Sequence, residues 1–205
     1  MKVFMFAPVL RSGSYNKKLI RIARDILNDL PDIQASVHEF NEFPMPVYDG
    51  DLEDQQGIPQ GVLDLAKKIT EADAIVISTP EYNGGIPGPF KNAIDWVSRL
   101  HPVPLEGKQV CLLGASQSYF AGVRNFTHSQ APLVRLRAFV YPDYFGLAFA
   151  HKAFDEKDQL KDPQDKERLR TILHQFIHYA SRKETPFDRL AEFFDEQKNQ
   201  FHSPH

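Results

Sequence analysis

The sequence predicts an α/β fold: a doubly wound five-stranded parallel sheet, ordered 2-1-3-4-5, with helices on both faces. Two observations carry this prediction. Short apolar segments rich in β-branched residues, such as 74–77, alternate with segments whose apolar residues recur at three- and four-residue steps. The connections between them are dense in Gly, Pro and small polar residues. In such folds ligands bind at the carboxyl ends of the strands, here expected for strands one, three and four.

Each element can be placed by its pattern. Strands are predicted at 3–7, 33–40, 73–79 and 109–114, and the fifth in two pieces at 139–141 and 144–149. Helices are predicted around 19–30, 61–72, 90–97, 123–137 and 169–180. Pro132 predicts a kink or a restart in the fourth helix, because proline has no backbone N–H. The proline-punctuated segment 41–59 has no clear periodicity and is predicted to be a long loop.

Composition limits the classes of function. The 205 residues suit one α/β domain, and a net charge of -3 provides no electrostatic surface for nucleic acid or for anionic membranes. The single cysteine, Cys111, lies in an apolar run and is expected to be an inert core residue in a reducing compartment. The chain enters its first strand directly and has no run of eighteen apolar residues, so we expect a cytoplasmic protein. His174 and His178 have metal-binding spacing but no evident third ligand, so no metal site is expected.

The loop at 80–89 follows the third strand. Its adjacent glycines, Gly84 and Gly85, leave the backbone uncovered, so a flat ligand can approach the main chain closely. Tyr82 adds an aromatic ring, and Asn83 an amide that donates and accepts hydrogen bonds. These residue types fit a ligand-binding loop. They fit equally a structural strand-to-helix turn with Tyr82 as a surface aromatic.

The loop at 8–16 follows the first strand. Ser14 is a plausible N-cap for the next helix, whose unpaired N–H groups favour an anion. The hydroxyls of Ser12 and Ser14, the amide of Asn16 and the cation of Arg11 are suited to a phosphate monoester. The alternative is a capped helix beside a solvated arginine.

The run at 80–96, PEYNGGIPGPFKNAIDW, resembles the signature of the NADPH-dependent FMN reductase family. These are flavodoxin-like flavoproteins that include quinone, azo-dye and chromate reductases. The family's first loop reads Gly-Ser-x-Arg-x-x-Ser-x-Asn, and Arg11, Ser14 and Asn16 match its last three fixed positions. Pro8 and Val9 replace its Gly and Ser. A lost hydrogen bond of ~1 to 2 kcal/mol predicts FMN binding roughly tenfold weaker or somewhat more.

The resemblance extends to the loop after the fourth strand, where Gly114, Ala115, Ser116, Gly122 and Arg124 match and 117–121 is bulkier than usual. It implies that the FMN phosphate lies on the first loop and that the ring lies against the third-strand loop with Ser116 near its edge. The implied cofactor-binding residues are Arg11, Ser12, Gly13, Ser14, Tyr15, Asn16, Pro80, Glu81, Tyr82, Asn83, Gly84 and Ser116. Pro46 and Tyr48 would border the substrate, or belong to a plain surface loop.

The resemblance implies an oxidoreductase in which NADPH delivers a hydride to FMN. The electrons then pass to a small acceptor such as a quinone, free flavin, azo compound or metal oxyanion. No catalytic acid or base is required. Family members are typically dimers or tetramers, so a homodimer or homotetramer is expected, with the helix from Lys91 as a candidate contact surface. The alternatives are an FMN-binding electron carrier of flavodoxin type and a flavin-free scaffold.

The resemblance covers residues 3–181, so we assign 1–182 to the FMN-binding domain and 183–205 to a C-terminal extension. The extension contains an amphipathic piece and a polar tail at 197–205, which we expect to be mobile. The amphipathic piece is expected to dock on its own domain or on a partner subunit. Its apolar residues are Phe187, Leu190, Ala191, Phe193 and Phe194.

Overall fold

Five parallel strands in the order β2-β1-β3-β4-β5 organise the protein in the computed structural model, which describes residues 1–182. The strands are β1 (Lys2–Ala7), β2 (Gln34–Glu39), β3 (Ala74–Ser78), β4 (Gln109–Ala115) and β5 (Phe139–Leu147). The predicted fold class and strand order are confirmed. The carboxyl ends of β1, β3 and β4 lie side by side at one end of the sheet, which we call the crest.

Helices cover both faces of the sheet. They are α1 (Tyr15–Asn28), α2 (Gly50–Gln56), α3 (Gln60–Glu71), α4 (Gly88–Val97), α5 (Val123–Arg135), α6 (Ala150–Ala153) and α7 (Pro163–Ala180). The apolar sides of α1 and α7 pack on one face, and those of α3, α4 and α5 on the other. In β3 the side chains alternate between these two cores, with Val76 in the first and Ile75 and Ile77 in the second. Both faces are therefore apolar, which explains the continuous hydrophobic run of this strand.

The segment 41–59 is not the unbroken loop that the sequence predicted. A short 3-10 helix, Phe40–Glu42, is followed by α2, whose N-cap Asp49 accepts a hydrogen bond from the N–H of Asp51 at 2.9 Å. No residue of α2 is buried, so the helix has no apolar stripe for periodicity to detect. Gly61 then brings α3 against this segment, because a side chain there would lie 2.1 Å from the carbonyl oxygen of Pro44.

Two prolines are accommodated differently from the prediction. The fifth strand is one strand through Pro142: between the pairs Val110–Val140 and Leu112–Tyr144, residues 141–143 bulge opposite a single residue of β4. It is an edge strand, where a missing N–H is tolerated. Helix α5 runs through Pro132 without restarting, because the proline lies in its last turns and removes one intrahelical hydrogen bond.

Cys111 is buried in the core, as predicted, and burial raises the pKa of its thiol far above the ordinary value. No helix within residues 1–182 has both the length and the apolar character needed to cross a bilayer. The apolar and polar parts predicted for the extension lie outside the described residues.

Candidate cofactor-binding site

The loop between β1 and α1 presents an anion cradle at the crest. Ser14 is the N-cap of α1, and its hydroxyl accepts a hydrogen bond from the N–H of Asn16 at 3.3 Å. The exposed guanidinium of Arg11 donates to the carbonyl oxygen of Gly13 at 3.0 Å, which folds it back over the loop. Within residues 1–182 the N–H groups of Ser12 and Gly13 donate to no protein acceptor. A cation and free N–H groups at a helix N-terminus are suited to a phosphate.

Asn16 lies behind this cradle and is only 2% exposed. Its Oδ1 accepts hydrogen bonds from the N–H of Ala115 at 2.9 Å and from the hydroxyl of Ser78 at 2.9 Å. Its Nδ2 donates to the carbonyl oxygen of Ala115 at 3.0 Å. Three of the four hydrogen bonds that an amide can make are thus used inside the protein. The structure places this amide where it joins α1 to the ends of β3 and β4.

The two positions that depart from the family motif offer no donor to a ligand. Val9 is buried in the core with α1, and its N–H donates to the carbonyl oxygen of Ala7 at 2.7 Å. Pro8 has no N–H and is itself buried. Tyr15, which the resemblance also implicates, stacks on Phe154 with a centroid distance of 6.0 Å and an interplanar angle of 7°. The motif positions of this loop that still offer donors therefore lie between Arg11 and Tyr15.

The loop after β3 contains a tight two-residue turn. The N–H of Tyr82 donates to the oxygen of Gly85 at 3.1 Å, and the N–H of Gly85 donates to the oxygen of Tyr82 at 3.0 Å. The central residues Asn83 and Gly84 have φ angles of 51° and 80°, the combination found in type I′ turns. In the described part of the chain their own N–H groups donate to no protein acceptor. The turn thus presents two free donors at the crest beside the exposed ring of Tyr82.

Glu81 connects this loop to helix α5. Its Oε1 accepts a hydrogen bond from the guanidinium of Arg124 at 3.1 Å, and its side chain is 13% exposed. The second carboxylate oxygen is buried and has no hydrogen-bond partner within residues 1–182. An unmet acceptor of this kind is where a bound water or a donor group of a ligand is expected. The family motif includes Glu81, but no sequence pattern predicts this ion pair.

A second buried amide, which sequence reasoning missed, fixes the same loop. Nδ2 of Asn125, in the first turn of α5, donates to the carbonyl oxygen and to the hydroxyl oxygen of Thr79, both at 3.1 Å. The hydroxyl of Ser129 donates to Oδ1 of Asn125 at 2.8 Å. The only signal in the sequence for a structural role of Asn125 is its position one helical turn before another polar residue, Ser129, in α5. Asn125 and Asn16 hold the end of β3 from its two sides.

The loop after β4 is fixed by β5. The N–H of Ser116 donates to the oxygen of Leu147 at 3.0 Å, and its carbonyl oxygen accepts from the N–H of Ala150 at 2.9 Å. Its hydroxyl accepts from the N–H of Ser118 at 3.1 Å. Ser116 therefore lies at the crest in a set position, half-buried.

Tyr144 supports this loop from below. Burial, and then the nearby Glu81 carboxylate, raise the pKa of Tyr144 well above its ordinary value, so its hydroxyl stays protonated. That hydroxyl donates to the carbonyl oxygen of Ala121 at 2.8 Å. Gly114 makes room for it, since a side chain at this position would lie 2.0 Å from the Tyr144 oxygen.

An apolar pocket of about 620 Å³ opens beside the first loop, between it and the start of α4. It is lined by Leu10, Phe40, Asn41, Phe43, Pro44, Met45, Val47, Gly88, Pro89 and Asn92. The side chain of Tyr48 is directed elsewhere, against Trp96 at a centroid distance of 5.0 Å and to Glu53 at 3.0 Å. The carbonyl oxygen of Pro46 accepts from Asn92 and Trp96, both at 2.8 Å. The neighbours of Pro46 and Tyr48, rather than these two residues, line the pocket.

The residues at the crest fit the two ends of FMN. The cradle from Arg11 to Ser14 supplies a cation, a hydroxyl and free N–H groups for a phosphate. The turn at Asn83 and Gly84 supplies free N–H groups for the polar edge of a ring, and Ser116 lies at the same end of the sheet. Asn16 joins the parts of this donor set, because it bonds both Ser78 and Ala115.

Known proteins share both the sequence and the fold. The profile of the NADPH-dependent FMN reductase family matches residues 1–152. The quinone reductase of Escherichia coli K12 is 36% identical over 179 residues, which cover 84% of this chain and 92% of that protein. The NAD(P)H:quinone oxidoreductase of Solanum tuberosum is 34% identical over 177 residues, or 84% and 89% of the two chains.

Among solved structures, the flavoenzyme FerB of Paracoccus denitrificans, an NAD(P)H:(acceptor) oxidoreductase, has the same fold. Its TM-score is 0.75 at 24% identity, over 87% of this chain and 96% of that one. The family and the relatives confirm FMN as the cofactor and NADPH dependence, and they favour a reductase over an electron carrier. The chain belongs to the NADPH-dependent FMN reductase family of oxidoreductases, with a flavodoxin-like fold.

Proposed function

We propose that this protein holds FMN across three crest loops and passes reducing equivalents from NAD(P)H to a small acceptor. The observation that carries this proposal is the pairing of two separate sets of free backbone donors, at Ser12–Gly13 and at Asn83–Gly84. The buried amides of Asn16 and Asn125 bond Ser78 and Thr79 at the end of β3, where the loop that carries the second set begins. A donor set held in place before the ligand arrives loses little entropy on binding.

The phosphate end belongs to the first loop. Arg11 provides the charge, and Ser12, Gly13, Ser14 and Tyr15 provide N–H and hydroxyl groups at the start of α1. Asn16 acts from behind the loop, as its internal hydrogen bonds support a positioning role. Because Pro8 and Val9 offer no donor to the phosphate, we expect this loop to bind FMN more weakly than a loop with the complete motif.

The ring end belongs to the other two loops. Pro80, Glu81 and Tyr82 form a wall, Asn83 and Gly84 donate N–H groups to the polar edge of the ring, and Ser116 borders it. These donors favour negative charge on that edge, so the backbone tunes the reduction potential of the bound group. FMN held by these residues would supply the redox chemistry, which is hydride uptake from NAD(P)H and transfer of two electrons to the acceptor. The protein contributes binding, orientation and this tuning, and no side chain is required to act as an acid or a base.

The acceptor belongs to a broad chemical class: quinones, free flavins, azo compounds or metal oxyanions. Two relatives carry quinone in their names, which supports quinones first.

We further propose a homodimer or homotetramer. Leu10 and Val47 are strongly exposed beside the pocket at the start of α4, and exposed apolar groups of this kind commonly mark contact surfaces. We also propose that the FMN-binding domain ends at residue 182. The extension that follows it would provide a second contact surface. A cytoplasmic location is supported by the single buried thiol, Cys111.

A visible spectrum of the purified protein tests the central proposal. After incubation with FMN and removal of free flavin, the protein should be yellow, and NADPH should bleach it rapidly under anaerobic conditions. Adding a quinone should then restore the colour. Flavin that stays oxidised at millimolar NADPH would indicate an electron carrier, and a preparation that remains colourless with FMN would indicate a flavin-free scaffold.

A further inference from the structure

Three neighbouring aromatic side chains in the loops after β4 and β5 are exposed to solvent. Tyr119, Phe120 and Phe149 are 74%, 53% and 47% exposed. The ring centroid of Tyr119 lies 5.9 Å from that of Phe120 and 6.1 Å from that of Phe149. We call these three residues the aromatic shelf. Aromatic groups gathered at one place on a surface commonly mark a binding site.

The backbone holds the shelf in an unfavourable conformation. Phe149 has φ 47° and ψ 39°, and Ala121, after Phe120, has φ 52°. Residues other than Gly, Asn and Asp seldom adopt this left-handed backbone conformation. Backbone strain of this kind is found most often at ligand sites. The N–H of Phe149 donates to the oxygen of Ser118 at 3.4 Å, and the N–H of Ala150 to that of Ser116 at 2.9 Å. The shelf is thereby attached to the loop that carries Ser116.

The shelf is continuous with the wall proposed for the FMN ring. The guanidinium of Arg124 lies 5.0 Å from the ring centroid of Phe120 and donates to Glu81 at 3.1 Å. Its other nitrogens donate to no acceptor within residues 1–182, and the side chain is half-exposed. A flat acceptor lying on the shelf would therefore meet aromatic faces and hydrogen-bond donors suited to carbonyl oxygens.

We propose that the aromatic shelf is a specificity determinant: it stacks planar acceptors of two or more fused rings, such as naphthoquinones, with Arg124 donating to a quinone oxygen. This rests on the proposed function. Reduction to the hydroquinone takes two electrons and two protons, one proton arriving with the hydride equivalent from NAD(P)H and the other from water. The shelf transfers none of these; it binds and orients the acceptor.

Steady-state kinetics of the FMN-loaded protein tests the proposal with menadione, benzoquinone and ferricyanide as acceptors. Tyr119→Ala removes a largely exposed ring. Phe149→Asn also removes a ring, and it introduces a residue that tolerates positive φ. Each should raise KM for menadione about tenfold, change KM for benzoquinone less, and leave KM for ferricyanide within about twofold. Calorimetric titration of the oxidised variants with menadione, without NADPH, should show the same loss of affinity.

Phe139→Ala is the matched control, because Phe139 is an exposed phenylalanine at the opposite end of β5 from the shelf. It should leave all three KM values unchanged. Equal menadione KM and affinity in wild type and both shelf variants would overturn the proposal. So would a shelf variant that changes the oligomeric state and all three KM values together, since the shelf would then be a contact between copies. Anaerobic bleaching of the wild type by NADPH alone tests the proposed function separately.

Discussion

The side-chain amide of Asn16 holds both backbone groups of Ala115, a residue 99 positions later in the chain. The same amide accepts the hydroxyl of Ser78, so one buried residue at the start of α1 is bonded to the ends of β3 and β4. The loops after β1, β3 and β4 supply the proposed cofactor contacts. Their relative positions therefore depend on hydrogen bonds made within the protein itself.

Asn16→Ala should destabilise the protein and weaken FMN binding together. The change leaves the N–H and C=O of Ala115 and the hydroxyl of Ser78 buried without their partner, at a cost of about 3 kcal/mol in unfolding free energy. Because the loops then lose their common attachment, FMN affinity should fall at least about tenfold. Urea unfolding of the apoprotein and fluorescence titration with FMN measure the two effects.

Asn28 offers a matched control at the other end of α1. Its amide brackets Ala35 in the same way, accepting from the N–H at 2.8 Å and donating to the C=O at 3.1 Å. Asn28→Ala should cost about 1 kcal/mol, because the site is less buried, and should leave FMN affinity unchanged. Equal effects of the two substitutions on FMN affinity would contradict the positioning role of Asn16.

Arg11→Gln should weaken FMN binding about tenfold at low salt, since it removes a charge-assisted contact with the phosphate. The loss should shrink as ionic strength rises, because salt screens an exposed charge. Riboflavin, which has no phosphate, should bind wild type and variant alike. Arg24→Gln, an exposed arginine further along α1 that is paired with Asp25, is the control and should change neither affinity. A similar loss for both ligands would place Arg11 away from the phosphate.

Gly84→Ala should disturb the ring end of the site, because residue 84 adopts φ 80° in a turn that also needs a positive φ at Asn83. The strain costs about 1 to 2 kcal/mol in stability and shifts the N–H groups that face the proposed ring. Flavin affinity should fall for FMN and riboflavin equally. Gly107→Ala is the control: Gly107 lies just before β4, its φ is 76° and there is open space around it, so the change should also lower stability but leave flavin binding intact. A Gly84→Ala protein with normal affinity for both flavins would exclude this turn from the site.

Much of the fold could be predicted because its strands carry strong patterns. β1 and β3 lie within one residue of their predicted bounds at either end, since strands buried on both faces are continuously apolar. Helix α2 was missed because none of its residues is buried, and its only signals are Asp49 at its start and Gly57 after its end. Phe149 was placed in the fifth strand, but its left-handed conformation puts it in the turn before α6.

The candidate site was predictable in position but not in detail. The family motif predicted which loops carry the site, and the Asn-Gly pair at 83–84 is itself a signal for a type I′ turn. What a motif does not specify is the direction of a side chain. Asn16 matches the phosphate motif yet bonds internally, and Asn125 has no motif at all. Internal contacts of this kind depend on residues distant in sequence, which a single chain does not reveal.

Acid should weaken the attachment of β2 to α1. The pKa of Glu39 is lowered from 4.5, first because it accepts a hydrogen bond from Lys17 and also because of Arg21, against a smaller opposing effect of burial. As the folded-state pKa lies below the unfolded one, the unfolded chain takes up a proton first as pH falls. The stabilisation is therefore complete above about pH 5 and is lost as pH falls through the lowered pKa. Urea unfolding of wild type and Glu39→Gln at a series of pH values should show that the difference between their free energies of unfolding narrows below pH 4.5.

The control is the same pair of measurements in a Lys17→Met background. There the difference in unfolding free energy should change less with pH, because the largest cause of the lowered pKa of Glu39 is gone. A pH dependence of unchanged size would mean that Lys17 is not its source.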